Sequence, residues 1–283
     1  MKRLIENESI KIEDEQFVIK TNRCQYKADF VVIATGGLSY PLTGSTGDGY
    51  KFASSFNHSI VDPVPALVGI KIKEEIPANL KGLTLKNVTL TASNDSFKHS
   101  EFGELTFYED YIDGPIVITT SSLINRLSNI KLELDLKPAL NDEQLLARIN
   151  RDIDKNPNDN VLSLLKGMMH ADMIPLFISK LKLDVYEKCC NFSKEKRLTL
   201  VNLLKHFSLT YNGTLGFERA VVTSGGVSTK EINAKTMESK LITGLFFVGE
   251  VIDVDAFTGG FNIQIALSTG ASAGDYINQI TNY

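Results

Sequence analysis

The stretch GLFFVGEVIDVDAFTGGFNIQIALSTGASAG, Gly244 to Gly274, decides how the rest of the chain is read. It opens with an apolar strand, Leu245–Val248, and Gly249-Glu250 falls at the carboxyl end of that strand. Gly259-Gly260 then opens a helix that continues through Ile263, Ala266, Leu267 and Gly270. A helix start presents N–H groups without helical acceptors and the positive end of the dipole, so it suits an anionic or electron-rich ligand. Glu250 is placed to accept hydrogen bonds from a polyol, and the N–H groups of Gly260 and Phe261 to donate to a carbonyl. Asp253 reads as a solvated loop acid. Gly270 and Gly274, with Ala266, Ala271 and Ala273, form a small-residue face expected to lie close against a sheet.

Working outward, the nearest match to this pattern lies far upstream. CQYKADFVVIATGG carries an unbroken apolar run, Phe30–Ala34, ending in Thr35-Gly36-Gly37. Such a run predicts a strand buried on both faces of a mostly parallel sheet, and ligands of open α/β sheets bind at carboxyl ends of strands. PLTGSTGDGYKFASSFNHSI follows as a glycine loop and a helix of two to three turns, with Asp48 as its expected N-cap. Ahead of it, SIKIEDEQFVIK alternates as a hairpin around Glu13-Asp14-Glu15. Between the two glycine-rich segments the pattern changes. LVGIKIK, LKNVTLTAS and SFKHSEFGELTFY read as antiparallel strands of a barrel or sandwich, and residues 141–207 as helices, with NDEQLLARINRDI and KEKRLTLVNLLKHF amphipathic.

With 283 residues, 43% hydrophobic and 23% charged, the chain has the composition of a globular protein with a sizeable core. No apolar run is long enough for a membrane span, and no signal-peptide pattern opens the sequence. Cys24, Cys189 and Cys190 make neither a disulfide framework nor, with four scattered histidines, a zinc spacing. A reducing, cytoplasmic setting is expected. A net charge of −4 gives no general pull toward nucleic acid. Lys180, Lys182, Lys188, Lys194, Lys196, Arg197 and Lys205 form a basic helical stretch, but Asp184, Glu187 and Glu195 dilute it and it reads as a solvated face. A nucleic-acid module working without a cofactor is therefore the weakest reading.

FVVIATGGLSYPLTGSTGDGYKFA, VTSGGVSTKEINAKTMESK and the Gly244–Gly274 stretch together resemble the HI0933-like family of flavoproteins, NAD(P)/FAD-dependent oxidoreductases also described as aminoacetone-oxidase-like. The resemblance runs from about Phe17 to Ile277 and is strongest after Gly216. It implies an α/β fold in which a Rossmann-like FAD-binding domain, residues 1–66 and 216–283, is interrupted by an inserted substrate domain, 67–215. The insert would be β-barrel-like over 67–137 and helical over 138–207. It also implies FAD contacts from Thr35, Gly36 and Gly37, from Gly249 and Glu250 near the ribitol and pyrophosphate, and from Thr258, Gly259, Gly260, Phe261 and Asn262 beneath the flavin pyrimidine edge. NAD(P)H is the implied electron donor.

Two departures from the family pattern shape what is expected of function. The sequence contains no G-x-G-x-x-G, the loop that holds the FAD pyrophosphate in the family, so the FAD-binding domain is expected to be incomplete. In GELTFYEDYIDGP, Gly103–Pro115, Tyr108 and Glu109 stand where the family has Thr-His, and Tyr111 and Asp113 replace Gly and Ser, while Gly114-Pro115 is kept. That loop is expected to face the flavin or substrate cavity. The family is associated with small amines, steroid-like enones and ribosomal RNA uridine, and the residues do not choose among them. The rival expectation is a non-catalytic fragment or subunit that self-associates or needs a separate N-terminal FAD-binding partner. No catalytic residue is assigned: His58, His99, His170 and His206 stand alone in the sequence.

Overall fold

The computed structural model describes residues 7–282. The chain divides into two units, one joining the residues up to Leu67 to those from Leu215 on, the other formed by Val68–Thr214.

In the first unit, β1 (Asn7–Glu13), β2 (Gln16–Thr21) and β3 (Gln25–Ala28) form an antiparallel sheet. The β1–β2 turn is two residues, Asp14 and Glu15, both with positive φ, the twist that a tight hairpin requires. β4 (Val31–Ile33) pairs in parallel with β13 (Leu245–Phe247), Val31 beside Leu245 and Ile33 beside Phe247. The two glycine-rich segments of the sequence thus meet at the ends of neighbouring strands. β5 (Ile60–Ala66) pairs with β12 (Val222–Val227), and its Pro63 and Pro65 suit a strand bonded on one side only. Phe17, Ile33, Phe52, Phe56, Leu245 and Phe247 build the main core of this unit.

Three expectations for this unit are corrected. Val32 is 44% exposed, so the Phe30–Ala34 run is not buried on both faces. Its neighbour Phe246 is covered by Ala273, Tyr276 and Ile277 of α7 (Phe261–Thr281), but that helix leaves Val32 open. In α7 the small-residue face meets the strand pair only at Ala273: Gly270 and Gly274 have nothing within 4 Å of where a Cβ would stand. Asp48 is not the N-cap of α1 (Asp48–Ser55). Gly47 takes that place at φ 77°, a left-handed conformation that favours glycine, and Asp48 becomes the first helical residue.

The second unit is a closed six-stranded barrel in the order β10-β11-β6-β9-β8-β7. Its strands are β6 (Ile70–Ile72), β7 (Thr84–Ser93), β8 (Lys98–Phe107), β9 (Tyr111–Asp113), β10 (Lys131–Asp135) and β11 (Phe207–Thr214). Closure leaves the barrel no free edge. Helices α3 (Asp142–Lys155), α4 (Val161–Lys166), α5 (Ile174–Leu181) and α6 (Lys194–Lys205) lie in sequence between β10 and β11, two strands that pair directly. Barrel and helices share one apolar core, from Ile70 and Leu90 to Phe177 and Leu204. A capping box starts α3, with Asn141 and Gln144 exchanging side-chain-to-backbone bonds.

One helix was not anticipated. α2 (Pro115–Ile124), PIVITTSSLI, reads as a strand by composition. It folds as a helix because Gly114, at φ 114°, turns the chain and Pro115 fits the first turn. Its hydroxyls bond backward along the helix, Thr119 to the Pro115 carbonyl and Thr120 to that of Ile116, so a buried polar sequence is satisfied internally.

Candidate functional site

The end of β4, β12 and the 3-10 turn Gly249–Val251 converge on Thr223. Its Oγ1 accepts from the Leu38 N–H at 2.8 Å and the Ser39 N–H at 3.0 Å, and shares a hydrogen bond with Ser39 Oγ at 3.0 Å. Its own N–H donates to Glu250 Oε1 at 2.8 Å. A Cβ on Gly37 would lie 2.4 Å from Thr223 Oγ1 and 2.7 Å from Glu250 Oε1. Only glycine lets the backbone pass here. Thr35 and Gly36 precede this contact, Gly36 at φ 74°, and a Cβ on Gly49 would strike the Thr35 hydroxyl. Gly37 and Glu250, distant in sequence, are therefore brought together.

Burial raises the pKa of the Glu250 carboxyl, the hydrogen bonds from Thr223 partly offset this, and Asp255 adds to the rise. Tyr50 sits beside this acid. Its hydroxyl is buried with no hydrogen-bond partner among the described residues, and burial first, then Glu250 and Asp253, push its pKa well above the ordinary phenol value. A buried, unpaired hydroxyl costs free energy unless something supplies the missing bond.

Gly249, at φ 74°, donates its N–H to Thr269 Oγ1 at 2.9 Å and so ties the strand-end turn to α7. α7 begins after Gly260, at φ 85°, and its first helical hydrogen bond runs from Gln264 N–H to the Gly260 carbonyl. The N–H groups of Phe261, Asn262 and Ile263 precede that bond. Gly259 stands at φ 119°, and a Cβ on Gly260 would meet nothing within 4 Å. Thr258, Gly259, Gly260 and Phe261 are exposed. Asn262 differs from the rest: its side-chain amide is spent on Ala256, accepting from the N–H at 2.8 Å and donating to the carbonyl at 2.7 Å. It fixes the loop, and only its backbone N–H remains for a ligand.

Thr223, Thr269 and Tyr50 escaped the sequence reading. Thr223 lies in VTSGGVST, a stretch that marked the family but suggested no role, since its partners Leu38 and Ser39 lie 185 and 184 residues away.

The histidines are not alone in the fold. His58 Nε2 is 2.8 Å from Ser239 Oγ, and Nδ1 lies 3.3 Å from Glu231 Oε2 without forming a hydrogen bond. The order Ser239–His58–Glu231 imitates a nucleophilic triad. It is structural, because His58 and Ser239 are buried and Ser239 Oγ already accepts from the N–H groups of Leu241 and Ile242. Burial lowers the His58 pKa, with the Glu231 charge partly offsetting it. His99 pairs with Glu101, His170 with Asp172, and His206 with Glu133 and Asp142. In the second unit, Glu109 pairs with Lys81 at 2.7 Å, while Tyr108 and Tyr111 stack at 4.5 Å. Among the described residues no group of His, Cys, Asp and Glu is arranged to hold a metal ion, and no helix is long and apolar enough to cross a membrane.

The ribosomal RNA dihydrouridine synthase of Haemophilus influenzae is 35% identical over 260 residues, which covers 91% of this chain and 62% of that protein. The 3-dehydro-bile acid delta(4,6)-reductase of Clostridium scindens is 29% identical, covering 94% of this chain and 66% of the relative. The ribosomal RNA dihydrouridine synthase of Escherichia coli is also 29% identical, covering 95% and 66%. The chain thus spans somewhat less than two thirds of the length of these relatives. The model of the HI0933-like protein Rossmann domain matches residues 2–276, and the chain belongs to the HI0933-like family.

Proposed function

We propose that this protein is an FAD-dependent oxidoreductase that reduces a carbon–carbon double bond conjugated to a carbonyl, with NAD(P)H as electron donor in the cytoplasm. The cluster of Gly37, Thr223 and Glu250 carries the reading. It supplies a close backbone approach and a half-buried carboxylate that can take hydrogen bonds from a ribityl or ribose hydroxyl. The residues fit the cofactor in other respects. The open space at Gly260 leaves the start of α7 accessible, and Tyr50 holds a buried hydroxyl with no partner among the described residues. FAD, when bound, supplies the hydride chemistry. The chain's part would be to orient it: Glu250 would hold a hydroxyl, the N–H groups of Phe261 and Asn262 would donate to an electron-rich edge, and the dipole of the 21-residue α7 would favour negative charge there.

The substrate class follows from what the relatives have in common. The reductions in their names, uridine to dihydrouridine and a 3-oxo-Δ4,6 steroid to its reduced form, both act on a double bond in conjugation with a carbonyl. The greater identity to the Haemophilus influenzae protein favours uridine in RNA over a small enone or an amine. The test is direct. The purified protein is titrated with FAD by visible absorbance, then offered NADPH with uridine-containing RNA or with a steroid dienone. Flavin binding with NADPH oxidation that depends on either acceptor supports the reading. Absence of flavin binding overturns it.

One observation favours a second arrangement. Phe261, Ile263 and Leu267 of α7 are more than half exposed, which suits a face that another polypeptide segment covers. In this reading a strand–helix segment carrying a G-x-G-x-x-G loop completes the cradle, and the 283 residues alone bind FAD weakly or not at all.

A further inference from the structure

β7 does not alternate regularly. Its register against β8 shifts between Leu85 and Val88, and Asn87 has φ 55°. This bulge leaves two consecutive residues, Lys86 and Asn87, both exposed where a regular strand would bury one. Bulges re-aim side chains in this way. Lys86 and Asn87 line a cavity of about 620 Å³ together with Phe102, Lys137 and Arg148.

Lys137 is the unusual member. Its backbone is held at both ends, the N–H donating to Asp135 Oδ1 at 2.7 Å and the carbonyl accepting from Lys205 Nζ at 3.1 Å. Among the described residues its half-buried ammonium has neither an acceptor nor a carboxylate partner, and burial, then the Arg148 charge, depress its pKa. The acids near the other cations are not in hydrogen-bond contact, Glu104 being 3.6 Å from Lys86 and Asp152 3.7 Å from Arg148 Nε. Arg148 Nη2 donates to the Gly167 carbonyl at 3.2 Å, which steadies the guanidinium. Phe102, on β8, is 62% exposed, a large flat surface turned to water. Lys137, without an anion among the described residues, stands beside two cations whose carboxylates lie beyond hydrogen-bond distance and beside a bare aromatic ring, and together they form a site for a phosphate followed by a base.

We propose that this groove holds a backbone phosphate of single-stranded RNA between Lys86, Lys137 and Arg148, with Phe102 stacking on an adjacent base. The proposal rests on the RNA branch of the functional reading and adds to it the surface that grips the strand. A second cavity, of about 370 Å³, shares Lys86 and Lys137 and continues past Met168 and Met173, so the strand has a path beyond the phosphate.

The probe is a short fluorescein-labelled single-stranded RNA containing uridines, followed by anisotropy over a salt series with the protein and with Lys137→Met, Arg148→Gln and Phe102→Ala. Each variant is expected to weaken binding about tenfold. Lys137→Met and Arg148→Gln should also lower the slope of log affinity against log salt by about 0.7 for the lost phosphate contact, and Phe102→Ala should leave the slope unchanged. FAD titration of the same variants should match the wild-type protein. RNA binding that all three variants leave intact overturns the groove and leaves the RNA reading standing. No RNA binding by the wild-type protein overturns both, while a normal FAD titration would keep the flavin reading.

Discussion

At position 37 there is no room for a side chain, and the cofactor reading can be tested there. Gly37→Ala would drive a methyl group into Thr223 Oγ1 and Glu250 Oε1, neither of which is a free chain end. FAD affinity should fall at least about tenfold, the cost of one charge-assisted hydrogen bond, as read by flavin fluorescence titration. Thr223→Val tests the same cluster from the other side. It keeps the shape and removes the acceptor of two N–H groups, so unfolding stability should drop by about 1–3 kcal/mol in urea. His58 offers a pH test. Its folded pKa lies below the ordinary histidine value, so the unfolded chain binds a proton that the folded chain refuses as pH falls below about 6.5. Stability should therefore decline from neutral pH toward pH 5.5. His206, with its pKa raised by Glu133 and Asp142, acts in the opposite sense, favouring the fold at low pH and losing effect as pH rises through its folded pKa. The contribution of His58 is isolated by comparing urea midpoints at the two pH values for wild type and His58→Gln. A variant that declines as steeply as wild type would remove His58 from the account. The glycines were legible as single residues because strand ends and positive φ demand them. Thr223 and Ser239 were not, since a hydroxyl has no role until folding brings its partner from another part of the chain.

At the scale of elements, the strands and helices with strong periodicity were legible, while those decided by tertiary context were not. α3 announced itself by its apolar stripe, and the barrel by alternation in β7 and β8. α2 hid behind β-branched residues, whose preference for strands is a weak signal that a buried setting overrides. Lys205 joins two such elements. It lies at the end of α6 and is only 8% exposed, and its ammonium donates to Asp135 Oδ2 at 2.6 Å and to the carbonyls of Lys137 and Leu140. Lys205→Met should cost about 3–5 kcal/mol, because it strands a carboxylate and two carbonyls around a buried methionine. Adding Asp135→Leu should recover part of that loss, since the unpaired charge is then gone. Chemical denaturation of the single and double variants checks both, and a double variant no better than Lys205→Met would place the cost in the carbonyls and in the Lys137 N–H that loses Asp135.

At the scale of the whole molecule, the sequence disclosed two glycine-rich strand-end segments but not how much apolar surface would remain uncovered, because burial depends on what packs against a helix and not on the helix itself. α7 shows the difference: its composition suggested a face laid on a sheet, yet Phe261, Ile263 and Leu267 stand open along it, and Val32 is open on the strand pair below. A well-buried side chain of this size stabilises by about 1.5–3 kcal/mol, so a segment that covers three of them gains about 4.5–9 kcal/mol, which favours association at millimolar to micromolar concentration. The 283 residues by themselves should self-associate with rising concentration in sedimentation velocity. Ile263→Glu with Leu267→Glu should restore the monomer without lowering the melting temperature, because neither side chain contributes to the core of the isolated chain. A separately made strand–helix segment with a G-x-G-x-x-G loop should compete with self-association and tighten FAD binding in the same titration. If that segment restores the monomer but leaves FAD binding unchanged, the covered face is structural and the cofactor site is complete without it. If the wild-type chain sediments as a monomer at every concentration, the exposed face of α7 recruits nothing.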